Sequence, residues 1–221
     1  MSRIHISDNA FPELTDALAE EGHQICFSGR KHDVSEPISS HPDIYMCKLG
    51  TAPKSPVFKG NTDLLGPEYP SDVLYNAVVT EKFMICNTST VSPDLMNAAK
   101  ELYPDIKVIH VAQGYTKCNM VVVDESHFIT EDEGIYKALS SFDGAECLLI
   151  SAGHVELPGY KRGFIGGASG RIGDEIWFNG DLNAHPDAQN IVNFICQCGL
   201  TVCWISDKPL TDIGSIIEET I

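Results

Sequence analysis

Three residues in this chain have types and spacing suited to thiol chemistry. Cys118 lies in Gly114-Tyr115-Thr116-Lys117-Cys118-Asn119, flanked by a cation and an amide. A neighbouring positive charge favours thiolate over thiol, and the thiolate is the nucleophile. His41 is followed two positions later by Asp43, a spacing that in a strand puts imidazole and carboxylate on one face. Such a pair serves as an oriented general base or acid. His154, on the Gly153-His154-Val155 loop, is the second candidate base. Each has a plainer reading. Cys118 also fits a buried cysteine starting a strand, and Ser40-His41-Pro42-Asp43 also fits a turn, since X-Pro-Asp is common turn chemistry. His185-Pro186-Asp187 repeats that motif at a helix start and is given no catalytic role.

Other patterns exclude chemistries. Gly166-Gly167-Ala168-Ser169-Gly170 lacks the Gly-Lys-Ser/Thr ending of a phosphate loop, and Ser169 lacks the frame of a nucleophile elbow. It reads as close backbone approach followed by a turn. Cys196 and Cys198 on a helix point about 200° apart, which argues against a shared ion. No cysteine pair has C-x-x-C spacing, so neither a metal nor a cofactor is expected. Cys26, Cys86, Cys147 and Cys203 sit in apolar runs and read as small buried hydrophobes, kept reduced.

The elements that must position these residues repeat. Helices are expected at Phe11 to Glu21, from Ser92 to Pro104, from a Thr130–Glu133 capping box, and from His185-Pro186-Asp187 to Gly199. Each precedes a short apolar strand, at Gln24–Phe27, Lys107–Val111, Glu146–Ser151 and Thr201–Ile205. Three of the helices follow runs holding Phe83, Phe128 and Phe178, which lie 45 and 50 residues apart. Gly114–Met120 aligns with Gly159–Ile165, again 45 residues on. The unit is thus hairpin, helix, strand, with clear copies entering near Tyr75, Cys118 and Gly163. An N-terminal copy lacks its opening hairpin, and Asp43 to Val73 forms a degenerate copy in which Leu49 to Pro70 reads as loop.

With 221 residues and 43% hydrophobic content, one α/β domain spanning 1–221 is the economical reading. A formal net charge of −16 disfavours nucleic acid or an anionic membrane as partner and suits a cationic ligand. No apolar run approaches the roughly 20 residues of a membrane span, and no secretory signal is read at the N-terminus, so a cytoplasmic protein is expected. The sequence leaves the oligomeric state open.

Repeated hairpin–helix–strand units, His41-Pro42-Asp43, Gly114–Cys118 and Gly163–Gly167 together resemble the pentein fold of guanidino-group-modifying enzymes, and more narrowly an uncharacterised bacterial family assigned to it. The resemblance implies a propeller of about five ββαβ units around a pseudo-fivefold axis. It implies a cysteine-dependent hydrolase or amidinotransferase acting on a small guanidino or amidino compound. Cys118 would attack the guanidinium carbon, His41 and Asp43 would assist, and Gly166, Gly167 and His154 would contact substrate. The alternative is a non-catalytic binding protein, for which an initiation factor of this fold is precedent. Two departures stand out. The glycine-rich unit follows the cysteine instead of preceding the histidine, as if circularly permuted, and no acid adjoins Gly166-Gly167.

Overall fold

The computed structural model describes residues 2–29 and 34–220. In chain order its strands are β1 (Ser2–Ser7), β2 (Gln24–Ser28), β3 (Met46–Lys48), β4 (Val57–Lys59), β5 (Val78–Val79), β6 (Phe83–Cys86) and β7 (Lys107–His110), followed by β8 (Met120–Val122), β9 (His127–Thr130), β10 (Glu146–Leu149), β11 (Ser169–Ile172), β12 (Glu175–Phe178), β13 (Thr201–Cys203) and β14 (Ile217–Thr220). The helices are α1 (Pro12–Glu20), α2 (Pro42–Tyr45), α3 (Pro93–Leu102), α4 (Glu133–Leu139) and α5 (Ala188–Gln197). This is a mixed α/β structure of small separate sheets, none closed into a barrel.

Three sheets follow the expected unit. In β5-β6-β7, β8-β9-β10 and β11-β12-β13 an antiparallel hairpin is followed by a helical crossover to a parallel third strand. Each crossover helix buries one apolar stripe: Leu95 and Ala99 in α3, Ile135 and Leu139 in α4, Ile191 and Ile195 in α5. The N-terminal unit gets its missing strand from the far end of the chain, where β14 pairs antiparallel with β1. Across β1 lies β2, parallel and reached through α1. The degenerate copy is the two-stranded sheet β3-β4, and β4 lies inside the stretch read as loop.

Local departures have clear causes. Thr130 is the last residue of β9, where its Oγ1 donates to the Asn119 carbonyl, so the N-cap of α4 falls to Asp132, which accepts from Ile135 N. α5 begins only at Ala188, because Leu182–Ala184 forms a separate 3-10 turn before it. His41-Pro42-Asp43 opens the single turn α2 and not a strand, so the same-face argument for the pair fails. Phe83, Phe128 and Phe178 are all buried, but they sit at the first, second and fourth positions of their strands. Their spacing marks the unit and misses the register. Likewise Met120 opposes Thr130 where Ser169 opposes Phe178, so the structural counterpart of Cys118 is Gly167, four residues beyond the aligned Gly163.

Two consequences position the site. A channel of about 60 Å³ is lined by Cys47 of β3, Val79 of β5, Val122 of β8, Arg171 of β11 and Ile217 of β14, one strand from each sheet. The segments entering these strands are hydrogen-bonded to one another. Asp43 N donates to Gly214 O (3.1 Å), Ser215 N to Gly167 O (2.8 Å) and Gly167 N to Cys118 O (2.8 Å). Cys118 N donates to the Asn76 side-chain oxygen at 3.2 Å. Among the described residues no helix is long and apolar enough to cross a membrane.

A chain ending at Ser215 loses β14 and the burial of Ile216 and Ile217, about 1.5–3 kcal/mol for each side chain. That is a large part of a typical total of about 5–15 kcal/mol. Thermal unfolding of the truncated chain should show a strongly lowered or absent cooperative transition. An unchanged midpoint contradicts the closing role of β14.

Candidate functional site

Cys118 ends the loop entering β8, Asp43 lies in the turn of α2, and Asp212 precedes β14 by five residues. The backbone bonds between unit entrances bring these distant segments together. The Cys118 thiol donates to Asp43 Oδ2 at 3.0 Å and accepts from Asn76 Nδ2 at 3.3 Å. His41 Nδ1 lies 3.8 Å from Asp212 Oδ1. Asp212 is held by Phe164 N on one oxygen (3.0 Å) and Gly214 N on the other (2.9 Å). Gly214 is required here: its φ is +70°, and a Cβ would collide with the His41 side chain.

His41, Cys118 and Asp212 line one cavity of about 150 Å³, walled by Tyr115, Tyr160 and Phe164, with Arg162 at its side. This is below the roughly 300–1,000 Å³ of sites for drug-sized ligands, so the guest it fits is small. The polar groups are almost wholly buried, with His41, Asp43, Cys118 and Asp212 at most 3% exposed. Two of their atoms have no hydrogen-bond partner, His41 Nε2 and Asp43 Oδ1. Such orphans are uncommon in a native interior, where an ordered water or a guest completes them.

Behind the thiol runs a connected path to the channel. Asp43 Oδ2 also accepts from Ser215 Oγ (2.9 Å), which in turn accepts from Lys117 Nζ (2.9 Å). Lys117 also donates to Gly166 O at 3.2 Å and lines the channel. Ser215 is held in the left-handed region at φ +74°, a strained conformation for a non-glycine residue.

Burial dominates the electrostatics. It pushes the Cys118 thiol well above its ordinary pKa, and the Asp43 and Asp212 carboxylates add to the rise. The expected activation by Lys117 is outweighed: its ammonium donates to Ser215 and Gly166, while burial and the two acids hold the thiol protonated. Burial lowers His41 to about 4, against the opposing pull of Asp43, so the imidazole is neutral at pH 7. Burial raises Asp43 and Asp212, the latter to about 6, and lowers Lys117. Asp43 and Asp212 are thus both pushed toward their neutral forms, with Lys117 as the cation that opposes the rise.

The sequence reading missed two acids. Asp212 gave no signal because its role comes from backbone contacts at the far end of the chain. Glu131 was absorbed into the presumed capping box. It is 7% exposed, lies 4.0 Å from Arg162, and is raised to about 7 by burial against the pull of Arg162. Gly166 and Gly167 adjoin the site without lining its cavity. A Cβ on Gly166 would strike the Met120 carbonyl, and one on Gly167 would strike the Asp212 carboxylate. This fits close backbone approach and not substrate contact. His154 is exposed, packs edge-on against His185 with ring centroids 5.1 Å apart, and does not line the cavity.

A family model described as a family of unknown function (DUF6873) matches residues 5–217. The chain belongs to that family. No curated protein and no solved structure matches it.

Between pH 6.5 and 4 the unfolded chain protonates His41 while the folded site resists, so stability falls on acidification by roughly 3 kcal/mol through this group. Asp212 and Glu131 act oppositely. Their folded forms hold protons more tightly, so their share of stability falls as pH rises to about 6 and about 7. His41→Gln should therefore lose less stability than wild type on moving from pH 7 to pH 4, read from urea midpoints. An equal loss in both proteins contradicts the buried neutral imidazole.

Proposed function

We propose that the protein is a cysteine-dependent hydrolase or amidinotransferase acting on a small guanidino or amidino compound, built on a pentein-like propeller whose blades are the five sheets. The propeller reading is supported by the channel lined by one strand of each sheet and by the recurrent hairpin–helix–strand order. The enzymatic reading is carried by one observation: Cys118, His41 and Asp212 line a single small cavity, with Asp43 bonded to the thiol. A planar cation fits these two acids, because it can pair with the carboxylates and offer donors to the orphaned oxygen.

The chemistry follows from the same groups. Binding of the cation offsets Asp43 and Asp212, which removes part of what holds the thiol protonated. The thiol proton passes to Asp43, and the sulfur attacks the central carbon, forming a C–S bond. The departing amine takes up that proton as its C–N bond breaks, leaving a cationic thiouronium on Cys118. Neutral His41 then draws a proton from water or from an acceptor amine. The resulting nucleophile forms its bond to carbon, the C–S bond breaks, and the sulfur regains a proton.

One observation favours a non-catalytic binding protein as second reading: the ligand-free thiol is 3% exposed and held far from ionisation. The two readings part on turnover. Small guanidino and amidino compounds should release ammonia, amine or urea with wild type, and the rate should fall by at least about 10³-fold in Cys118→Ser. Asp43→Asn should also lose activity. Saturable binding of such a cation without turnover selects the second reading, and neither binding nor turnover contradicts both.

A further inference from the structure

Away from the cavity, three side chains of different chemistry converge where the β8-β9 unit meets the helix of the next. Asp124 is in the β8-β9 turn, His127 opens β9, and Cys198 caps the end of α5. One carboxylate oxygen, one ring nitrogen and the thiol sulfur all lie within 4.8 Å of one another, and all three residues are half-buried. A second carboxylate flanks the imidazole on its other ring nitrogen. Glu146 opens β10, pairs in register with His127, and places a carboxylate oxygen 3.6 Å from His127 Nε2.

Part of this cluster is ordinary turn chemistry. Asp124 Oδ1 accepts from Ser126 N and His127 N, both at 2.8 Å, and its carboxylate is bonded to His127 Nδ1. That accounts for an acid and a histidine in a hairpin. It does not account for a thiol arriving from a helix end, nor for a second carboxylate on the other ring nitrogen. The imidazole is further held by the Phe194 ring, edge-on at 5.9 Å. Metal-binding histidines are commonly fixed in this way by their surroundings.

We propose that Asp124, His127 and Cys198 bind a zinc-class divalent cation that ties the β8-β9 turn to the end of α5, with Glu146 orienting the imidazole from its other ring nitrogen. Sulfur, nitrogen and carboxylate oxygen together suit zinc and its borderline relatives, whereas calcium and magnesium take oxygen shells. Burial, Asp124 and Glu146 raise the thiol to about 11 in the free protein. The ion therefore takes the place of the thiol proton, which is released on binding. Cys196, two residues earlier, is exposed and outside the cluster, so it serves as an internal control. The site is independent of the cavity and of its assigned chemistry.

Full-length protein stripped with chelator is titrated with Co²⁺ and then Zn²⁺. The expected result is saturation at one ion per chain, with sulfur-to-cobalt charge-transfer absorption that zinc displaces. Cys198→Ser should abolish that absorption and Cys196→Ser should retain it. Asp124→Asn should weaken zinc binding by at least about tenfold. Wild type alone supplies a check that needs no folded variant: zinc should slow alkylation of Cys198 and leave Cys196 unaffected. Absence of saturable cobalt absorption, its survival in Cys198→Ser, or equal alkylation with and without zinc overturns the proposal.

Discussion

Lys117 carries its ammonium inward from the loop entering β8, and its hydrogen bonds there hold the central segments in place. They run to Ser215 ahead of β14, to Gly166 ahead of β11, and, more weakly at 3.5 Å, to Met120 of its own strand. Burial lowers its pKa, and the carboxylates of Asp43 and Asp212 oppose that shift. Removing one member of a buried charge cluster leaves the others uncompensated, commonly at a cost of about 3–5 kcal/mol. The arrangement therefore fixes the relative placement of three unit entrances and of the acids behind Cys118. Through Ser215, the same lysine is linked to the carboxylate that receives the thiol.

Within that frame the thiol and the histidine occupy environments that suppress charge. His41 is kept neutral and Cys118 protonated because burial disfavours their charged forms, which also pushes the acids beside them toward neutrality. In the proposed function, one cationic guest relieves several of these desolvated groups together. The cavity limits that guest to a small one. The aromatic walls formed by Tyr115 and Phe164, whose ring centroids are 6.5 Å apart, offer flat apolar surface beside the charged floor.

Much of the architecture was legible in sequence, because helix caps, prolines at helix starts and apolar stripes are local signals. The four long helices and the strands following them lie close to where those signals put them. β14 was not legible, since its pairing partner β1 lies at the opposite end of the chain and no turn chemistry links them. Nor was the register of the repeat, because a periodic phenylalanine reports burial on a strand and not position within it. Cys118, His41 and Asp43 were readable as residue types, and they do meet. The reason given for pairing His41 with Asp43 was wrong, since α2 and not a strand carries them. Asp212, Glu131 and the tilt of the thiol pKa escaped, all being products of tertiary burial. The cluster at Cys198 escaped for the same reason, since Asp124 and His127 come from another unit.

The central claim of the proposed function is that the acids beside Cys118 select a planar cation at the thiol. It is tested most directly by comparing alkylation with a haloacetamidine and with the neutral, nearly isosteric haloacetamide, site by site by mass spectrometry at pH 7. The account predicts that Cys118 is modified at least about tenfold faster by the cationic reagent, and that Asp43→Asn erases the preference while exposed Cys196 shows none. Equal rates of the two reagents at Cys118, or preference for the neutral one, would contradict it.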